Sequence, residues 1–451
     1  MKHELVPKSS KVRCFAFLLG IAAVFCALAC RQHQFVNRYA VNMMFMDQWS
    51  IYRPLFEEQS GWAGFTLQHG PHRQGVGFAV IELLAKAGAW DSRWDAFSVS
   101  WTLIAAAVVA LVLFRKFGAR SLVAFLAVPL LYFNIRQWEQ FAGASNISHG
   151  AMPMLLVTLY ALVWLIEKRP LRWLLLAVLS FCAIFTGFAL YVGVISLGLL
   201  ALESRTLFKG GQKRDAWLCV SALVFVLCSW ALFFQGYRFG AQETVPVGIP
   251  SKATNVAHFA LVMLANAHGV SGVGIVATSV GFIITLAMLA MVVYHGFALM
   301  KEGPARQPQR AVIFCFAAFV LLYCATAAWG RAPEGIQAAR ASRYVTLLIP
   351  AGLAVVLQLS LLGDRWLYRL VQAGYVVFLA VFTLQLRPAD LKQAEAFRTF
   401  REEWKRLYLA SHDASGTDAA LGEQIFPGGG IGPQLRYLED HKLNLFKEPG
   451  K

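Results

Sequence analysis

CFAFLLGIAAVFCALAC, residues 14–30, is the first of a series of apolar segments that decide the fold. An α-helix rises about 1.5 Å per residue, so a segment of this length can cross the hydrocarbon layer of a bilayer, which is ~30 Å thick. The small residues at its end would also suit a cleaved signal peptide, and cleavage would leave the rest of the topology unchanged. Six further segments of this kind cover residues 97–114, 216–234, 273–300, 311–329, 344–362 and 370–386.

Shorter or interrupted apolar runs bring the expected number of spans to about eleven. Residues 151–166 form one such run, and residues 121–133 form a shorter one. The run 173–202 is too long for a single span, and it contains Thr186-Gly187 near its middle with basic clusters at both ends. Two short helices joined there would return both clusters to one side of the membrane. The sequence thus predicts an all-α polytopic membrane protein.

The composition agrees with this fold class and excludes a soluble globule. Hydrophobic residues make up 58% of the chain and charged residues 15%, which leaves too little polar surface to cover a soluble protein. The net charge of +16 lies in short basic clusters without a nucleic-acid-binding motif, so anionic membrane lipid is the expected partner and nucleic acid is not. The eight cysteines include no CxxC pair, which argues against a disulfide framework or a zinc site.

The distribution of Lys and Arg predicts the orientation, because basic connections stay on the cytoplasmic side. The basic segments 1–13, 115–120, 167–172, 203–215, 301–310 and 363–369 are expected inside. The longer connections 31–96, 134–150, 235–272 and 330–343 are expected outside. Residues 1–386 then form one transmembrane domain, and residues 387–451 form a small outer tail whose helix, expected over 394–409, packs on the outer face.

The first outer loop, residues 31–96, combines an early acid with an amphipathic segment. The acid is Asp47, which lies in FMDQWSIYRP, residues 45–54. Residues 75–90 have apolar residues at helical spacing, with Glu82 and Lys86 four residues apart, and they predict a helix lying on the membrane surface. A second surface helix is expected over residues 256–266 of the third outer connection.

The outer connections also carry residue types that suit phosphate and sugar recognition. A planar guanidinium can bind two phosphate oxygens at once, a carboxylate can take a hydroxyl proton, and aromatic faces suit sugar rings. Each has a simpler alternative, since arginines snorkel and tryptophans form interfacial belts. His69 and His72 are spaced for a metal, but the Gly-Pro between them argues against a helix, so no metal site is predicted. The candidates are Asp47, Glu139, Trp49, Trp138, Arg331, Arg340 and Arg343.

The order of these elements resembles the GT-C class of polyprenyl-phosphate-dependent membrane glycosyltransferases over most of the chain. The resemblance implies that Asp47 is the catalytic base, and that Arg331, Arg340 and Arg343 hold the donor phosphate. His72, Arg73, Trp49, Trp138 and Tyr344 are then expected to contact the substrates. The elements that carry the resemblance are a long first outer loop with an early acid and interfacial helices, "HR" at His72-Arg73, "QWEQ" at 137–140, "GR…ASRY" ending at Tyr344, and an outer tail.

Two departures from the class concern the first loop. Related chains commonly have Glu-His-Arg where this chain has Pro71-His72-Arg73, and an adjacent acid pair where it has Asp47-Gln48. The missing acid makes Glu139 the candidate for a second catalytic acid, and it leaves a divalent metal open. No other cofactor is implied beyond the lipid-linked donor, and no nucleotide site is expected, because no P-loop is present.

The resemblance implies transfer of a sugar from a polyprenyl-phosphate donor to an acceptor at the outer face of the cytoplasmic membrane. A cell-surface polysaccharide, a lipid-linked glycan or a surface protein such as a pilin would fit as acceptor. An oligosaccharide ligase and a pilin-modifying arabinosyltransferase belong to the same class. The alternative class is a transporter or flippase of lipid-linked sugars, which would need ionisable residues along a path inside the spans. A further alternative is a non-enzymatic assembly or scaffold protein, whose function would not be lost when Asp47 is replaced.

Overall fold

The apolar segments form helices along the whole chain in the computed structural model, which describes residues 8–119, 121–239, 253–363 and 365–447. Residues 1–7 of the predicted inner terminus, residues 120 and 364 of two inner connections, residues 240–252 of the third outer connection and the last four residues of the tail lie outside the described residues.

The elements in chain order are helices joined by short turns, with one small hairpin. The first half contains α1 (Lys8–Tyr39), α2 (Gln48–Ile51), α3 (Arg53–Phe56), α4 (Trp62–Phe65), β1 (Gln68–His69), β2 (His72–Arg73), α5 (Gly75–Gly88), α6 (Arg93–Phe117), α7 (Leu122–Tyr132), α8 (Glu139–Ala142), α9 (Ala151–Val163), α10 (Arg169–Phe185), α11 (Tyr191–Lys209) and α12 (Lys213–Phe234). The second half contains α13 (Ala253–Ala267), α14 (Ile275–Glu302), α15 (Pro308–Arg331), α16 (Arg343–Leu347), α17 (Ile349–Leu361), α18 (Trp366–Thr383), α19 (Pro388–Ser411), α20 (Ala414–Leu421) and α21 (Gly432–Asp440). Short 3-10 turns cover Ile135–Gln137, Ile147–His149, Gly187–Leu190, Ala332–Glu334, Ile336–Arg340 and Asn444–Phe446.

Seven helical stretches in the described part of the chain are long and apolar enough to cross a membrane. This confirms a nearly all-α, polytopic membrane protein. The long stretches are Phe17–Tyr39, Arg93–Phe117, Gly187–Lys209, Lys213–Phe234, Ile275–Glu302, Pro308–Glu334 and Arg343–Leu361. Shorter apolar helices cover Leu122–Gln137, Ala151–Val163, Ala253–Ala267 and Trp366–Phe382.

The long apolar run 173–202 is divided where the sequence predicts it. Helix α10 ends at Phe185, and Gly187 adopts a positive φ of 50° that opens the turn into α11. The two helices then run side by side in opposite directions, as two contacts between them show. The Ser180 hydroxyl lies 2.9 Å from that of Ser196, and Arg172 forms a 3.5 Å ion pair with Glu203. The basic ends of the hairpin therefore lie together.

Helix α1 is longer than predicted, and the assignment of residues 31–39 to a loop was wrong. Polar residues continue this helix because they find partners in the bundle. The Arg31 guanidinium donates to the carbonyl oxygens of Leu384 and Phe133, at the ends of α18 and α7. The Gln32 amide donates to the hydroxyl of Ser100 on α6 at 2.9 Å. These bonds satisfy groups that would otherwise be unpaired at helix ends.

The two predicted surface segments are helical. In α5, Glu82 and Lys86 form the expected ion pair at 2.6 Å, and Phe78 and Ile81 lie on the buried face. Helix α13 contains the predicted segment 256–266, but it contacts α14 and α15, and its second half is buried. It therefore packs as part of the helix bundle.

The tail packs on the first and second outer connections. Its helix α19 contains the predicted segment 394–409. Arg401, which is buried, donates to the carbonyl oxygens of Tyr39 and Ala142 at 2.9 Å each. The Phe45 ring packs against Phe397 at a centroid distance of 5.5 Å. The tail therefore helps to hold the segment that carries Asp47.

We expect Gly187→Ala to lower the free energy of unfolding by roughly 2 kcal/mol or more, because the positive φ and the close packing both exclude a side chain. A Cβ at this position would lie 1.7 Å from the carbonyl oxygen of Ser148. The measurement is thermal unfolding of the purified protein in detergent. Gly198→Ala in α11 is the control, since nothing lies within 4 Å of its Cβ position. Equal melting temperatures for the two variants would contradict this packing.

Candidate functional site

The four predicted outer connections contact one another at one end of the helix bundle. The Asn146 amide of the second connection donates to the Gln74 side chain of the first at 3.2 Å. The Tyr237 hydroxyl of the third donates to the Pro71 carbonyl oxygen of the first at 3.1 Å. These contacts bring together a cluster of polar side chains.

Asp47 lies on a short turn whose other side chains are anchored in the interior. The buried carboxylate of Asp95 accepts hydrogen bonds from the Gln48 amide at 2.8 Å and from the Tyr52 hydroxyl at 3.0 Å. The backbone N–H of Met46 donates to the carbonyl oxygen of Ile425 in the tail. With its neighbours fixed in this way, Asp47 points outward, and 56% of its side chain is exposed.

A two-stranded hairpin places His69 beside Asp47. Strands β1 and β2 pair with His69 opposite His72, and Gly70 adopts a positive φ in the turn between them. The His69 Nε2 atom lies 3.4 Å from an Asp47 carboxylate oxygen. This hydrogen-bonding contact holds the pKa of Asp47 at about 2, and the charge of Arg343 also lowers this pKa. Asp47 is therefore a carboxylate at neutral pH.

Three histidine rings pack together behind this pair. His149 of the second connection lies 5.4 Å from His69 and 4.8 Å from His72, measured between ring centroids, and Phe188 packs on His72 at 4.7 Å. Burial lowers the pKa of His149 to about 3 and that of His72 well below its usual range, so both rings are neutral at pH 7. Among the described residues, neither ring nitrogen of His72 nor the Nε2 of His149 has a hydrogen-bond partner. Buried polar atoms are seldom left unpaired, so these three nitrogens distinguish the cluster from ordinary packing.

Two arginines of the fourth connection add positive charge to this cluster. Arg331 lowers the pKa of His72 and of His149, and Arg343 lowers that of Asp47. Arg331 also pairs with Glu334. We call the set Asp47, His69, His72, His149, Arg331 and Arg343 the outer cluster.

Glu139 and Tyr344 border the outer cluster. The Glu139 carboxylate accepts a 2.8 Å hydrogen bond from the backbone N–H of Arg343, and its own N–H donates to the hydroxyl of Ser342. This exchange ties the second connection to the start of α16. The Tyr344 ring lies 5.6 Å from the Arg343 guanidinium, and its buried hydroxyl has no partner in the described residues.

Four of the predicted substrate contacts lie outside the outer cluster. Trp49 and Trp138 are each only 2% exposed, so neither ring offers an open face to a sugar. Arg73 donates to the carbonyl oxygens of Phe233 and Gln235, and it braces the first connection against the end of α12. The Arg340 guanidinium donates to Gln337 within a 3-10 turn. A residue type alone does not indicate which of these side chains faces inward.

The sequence prediction did not include His69 and His149, although both are central to the cluster. "HGPHR" and "ISHG" were visible signals, but the two lie in different connections and meet only in the folded chain. The part of the chain that the structure describes contains no group of three residues arranged to hold a metal ion. A groove of about 450 Å³ opens elsewhere, between the ends of α1 and α18, and it is lined by Arg31, Arg38, Tyr39, Leu384 and Leu391 among others.

Comparison with known proteins adds no assignment. No protein-family model matches the sequence, and searches of curated proteins and of solved structures gave no match either. Fold and site together define the class: a polytopic helical membrane protein in which three separate connections supply a cluster of histidines, arginines and one exposed carboxylate.

Replacing His69 with Gln should raise the pKa of Asp47 toward its ordinary value near 4, because the contact with His69 is the largest cause of the depression. The folded carboxyl has the lower pKa, so its contribution to stability is present above about pH 4 and is lost as the pH falls toward 2. The measurement is a carbon NMR titration of labelled aspartate, with Asp47→Asn to assign the signal. His33→Gln, at an exposed position of α1, should leave the titration unchanged. An unshifted Asp47 signal in the His69 variant would show that the pair does not form.

Proposed function

We propose that this protein is a membrane glycosyltransferase of the GT-C type, which transfers a sugar from a polyprenyl-phosphate donor to an acceptor hydroxyl. The observation that carries this proposal is the outer cluster. One exposed carboxylate, two arginines and three histidines converge from separate connections, and three buried ring nitrogens are unpaired there. A carboxylate and guanidinium groups at the end of a helix bundle suit an acceptor hydroxyl and a lipid phosphate, respectively.

The reaction requires one proton acceptor and one stabilised leaving group. The acceptor oxygen forms a bond to the anomeric carbon of the sugar, while the bond from that carbon to the phosphate oxygen breaks. The electron pair leaves with the polyprenyl phosphate, whose charge Arg331 and Arg343 stabilise. The acceptor's proton passes to the Asp47–His69 pair. The neutral His72 and His149 offer hydrogen bonds to the bound sugar or phosphate, and Glu139 holds the backbone at Arg343.

The proposal also includes the orientation of the chain. In the proposal, the seven long stretches together with α7, α9, α10 and α18 would be the eleven expected spans. In this topology the basic short connections face the cytoplasm, and the outer cluster faces the outside of the cytoplasmic membrane. A donor whose lipid is embedded in the outer leaflet would then present its phosphate at the level of Arg331 and Arg343. Mass spectrometry of cells with and without the protein would identify the acceptor class, which is a polysaccharide, a lipid-linked glycan or a surface protein.

A flippase or transporter of lipid-linked sugars is the second candidate, and the buried ionisable groups of the described spans do not favour it. A transport path needs polar groups free to bind the cargo. Arg172 and Glu203 are paired with each other, and Asp95 is occupied by two side-chain donors. His295 is bonded to the side chain of Gln358 at 2.6 Å. These groups serve packing between helices.

Asp47→Asn should reduce the same sugar modification that is lost when the protein is absent, because a neutral amide cannot assist proton removal in the way a carboxylate does. The measurement is mass spectrometry of envelope polysaccharides, lipid-linked glycans and surface proteins from cells with wild-type protein, the variant or no protein. Glu57→Gln is the control, since Glu57 is an exposed acid of the same loop that pairs with Arg53. The modified molecule identifies the acceptor class. If cells without the protein lose no sugar mass, the glycosyltransferase proposal fails.

Arg343→Gln should slow transfer at least about tenfold, because a charge-assisted contact to the leaving phosphate contributes on the order of 1.5–3 kcal/mol. Arg343→Lys should retain part of the activity, because it keeps the charge but not the planar fork. The control is Arg53→Gln, which removes an exposed arginine of the first loop. Equal transfer rates for Arg343→Gln and the control would exclude Arg343 from donor binding.

A further inference from the structure

The Asp47–His69 pair has the arrangement of an orienting carboxylate and a basic imidazole. An ionised carboxylate can only accept a hydrogen bond, so a hydrogen bond from His69 to Asp47 would place the proton on Nε2, the nitrogen that lies 3.4 Å from the carboxylate. The lone pair of the ring then lies on Nδ1. Among the described residues no side chain or backbone group donates a hydrogen bond to this atom. The side chain of His69 is also 24% exposed, so a ligand can reach it, whereas His72 is buried.

We propose that His69 is the group that takes the proton from the acceptor hydroxyl, and that Asp47 is its positioning partner. This inference rests on the proposed function and assigns one role within it. The acceptor O–H bond breaks as its oxygen bonds to the anomeric carbon, and the proton moves to Nδ1 of His69. The resulting imidazolium is stabilised by the Asp47 carboxylate at 3.4 Å. The leaving electron pair remains on the polyprenyl phosphate, so atoms and charges balance.

The low pKa of Asp47 supports this assignment. A carboxylate with a pKa of about 2 holds a proton weakly, so Asp47 alone would be a poor general base near neutral pH. Histidine is the side chain that most often serves as a general acid or base in enzymes. Among the described residues, the other charged or titratable groups of the outer cluster are His72, His149, Arg331 and Arg343.

Two features of the surroundings suit a proton transfer to His69. Burial keeps His72 and His149 neutral, so they do not compete for the proton. In the proposed reaction the leaving phosphate binds to Arg331 and Arg343, so its negative charge would lie in the same cluster as the imidazolium while that group forms.

The test compares the rate at which the sugar mass appears after induced expression, in cells buffered at a series of external pH values. The variants are His69→Gln, Asp47→Asn, the double variant and the exposed control His33→Gln, each matched for abundance in the membrane. We expect His69→Gln to slow transfer by at least about a hundredfold, the usual contribution of general base catalysis. Asp47→Asn should slow it less, and the double variant should be no slower than His69→Gln alone, because both residues act through one proton transfer.

The pH profile separates a catalytic role from a structural one. With His69 as the base, the wild-type rate falls as the pH falls, because a protonated imidazole cannot accept a proton. In Asp47→Asn the midpoint of this fall should move to lower pH, since loss of the neighbouring negative charge weakens proton binding to the ring. A structural defect would lower the rate without moving the midpoint. This readout stands even if His69→Gln fails to accumulate.

The outcomes distinguish this inference from the proposed function. If cells without the protein lose a sugar mass while His69→Gln transfers within tenfold of wild type, then Asp47 is itself the base and the inference is overturned. An unmoved pH midpoint in Asp47→Asn would also overturn it. If cells without the protein lose no sugar mass, the proposed function fails first.

Discussion

Close backbone packing at the turn between α10 and α11 sets the position of the outer cluster. Gly187 lies against the carbonyl oxygen of Ser148, and Gly75 lies against that of Phe185, at distances that leave no room for a Cβ. The Thr186 hydroxyl accepts the backbone N–H of Val76 at 3.0 Å. The first and second connections are thereby locked onto one helical turn. The rings of His72, His149 and Phe188 meet as a direct consequence of this contact.

The electrostatics of the outer cluster follow from unequal burial. His72 and His149 are neutral because burial lowers the pKa of each ring, whereas Asp47 at the surface is ionised, and Arg331 and Arg343 supply positive charge beside them. Charges in such a partly dry site interact more strongly than they would in water. The cluster therefore combines a side that attracts anions with an uncharged interior that can form hydrogen bonds. None of its residues is a buried, unpaired charge, which would lower the stability of the folded protein.

The sequence predicted the helices better than the site, for a physical reason. A span must satisfy its own backbone hydrogen bonds within one apolar segment, so length and hydropathy suffice to find it. The break at Thr186-Gly187 and the Glu82–Lys86 pair are equally local. The extension of α1 to Tyr39 depends on partners distant in sequence, such as Ser100 for Gln32, and was missed. The burial of Trp49 and the contact between His69 and His149 likewise depend on tertiary packing. Neither feature can be predicted from a residue type or from the sequence of a single loop.

Hydrogen bonds decide which of the three carboxylates Asp95, Glu139 and Asp47 is free to act. Asp95 accepts from Gln48 and Tyr52, so its oxygens are occupied in the interior. Glu139 accepts the backbone N–H of Arg343 and serves to hold that residue in place. Asp47 has one close partner, His69, and remains open to solvent. An acid that is ionised, exposed and paired with a single imidazole can change its hydrogen bonding when a ligand arrives, whereas the other two would have to break structural bonds. Of these three carboxylates, Asp47 is therefore the one whose hydrogen bonding can change when a ligand binds.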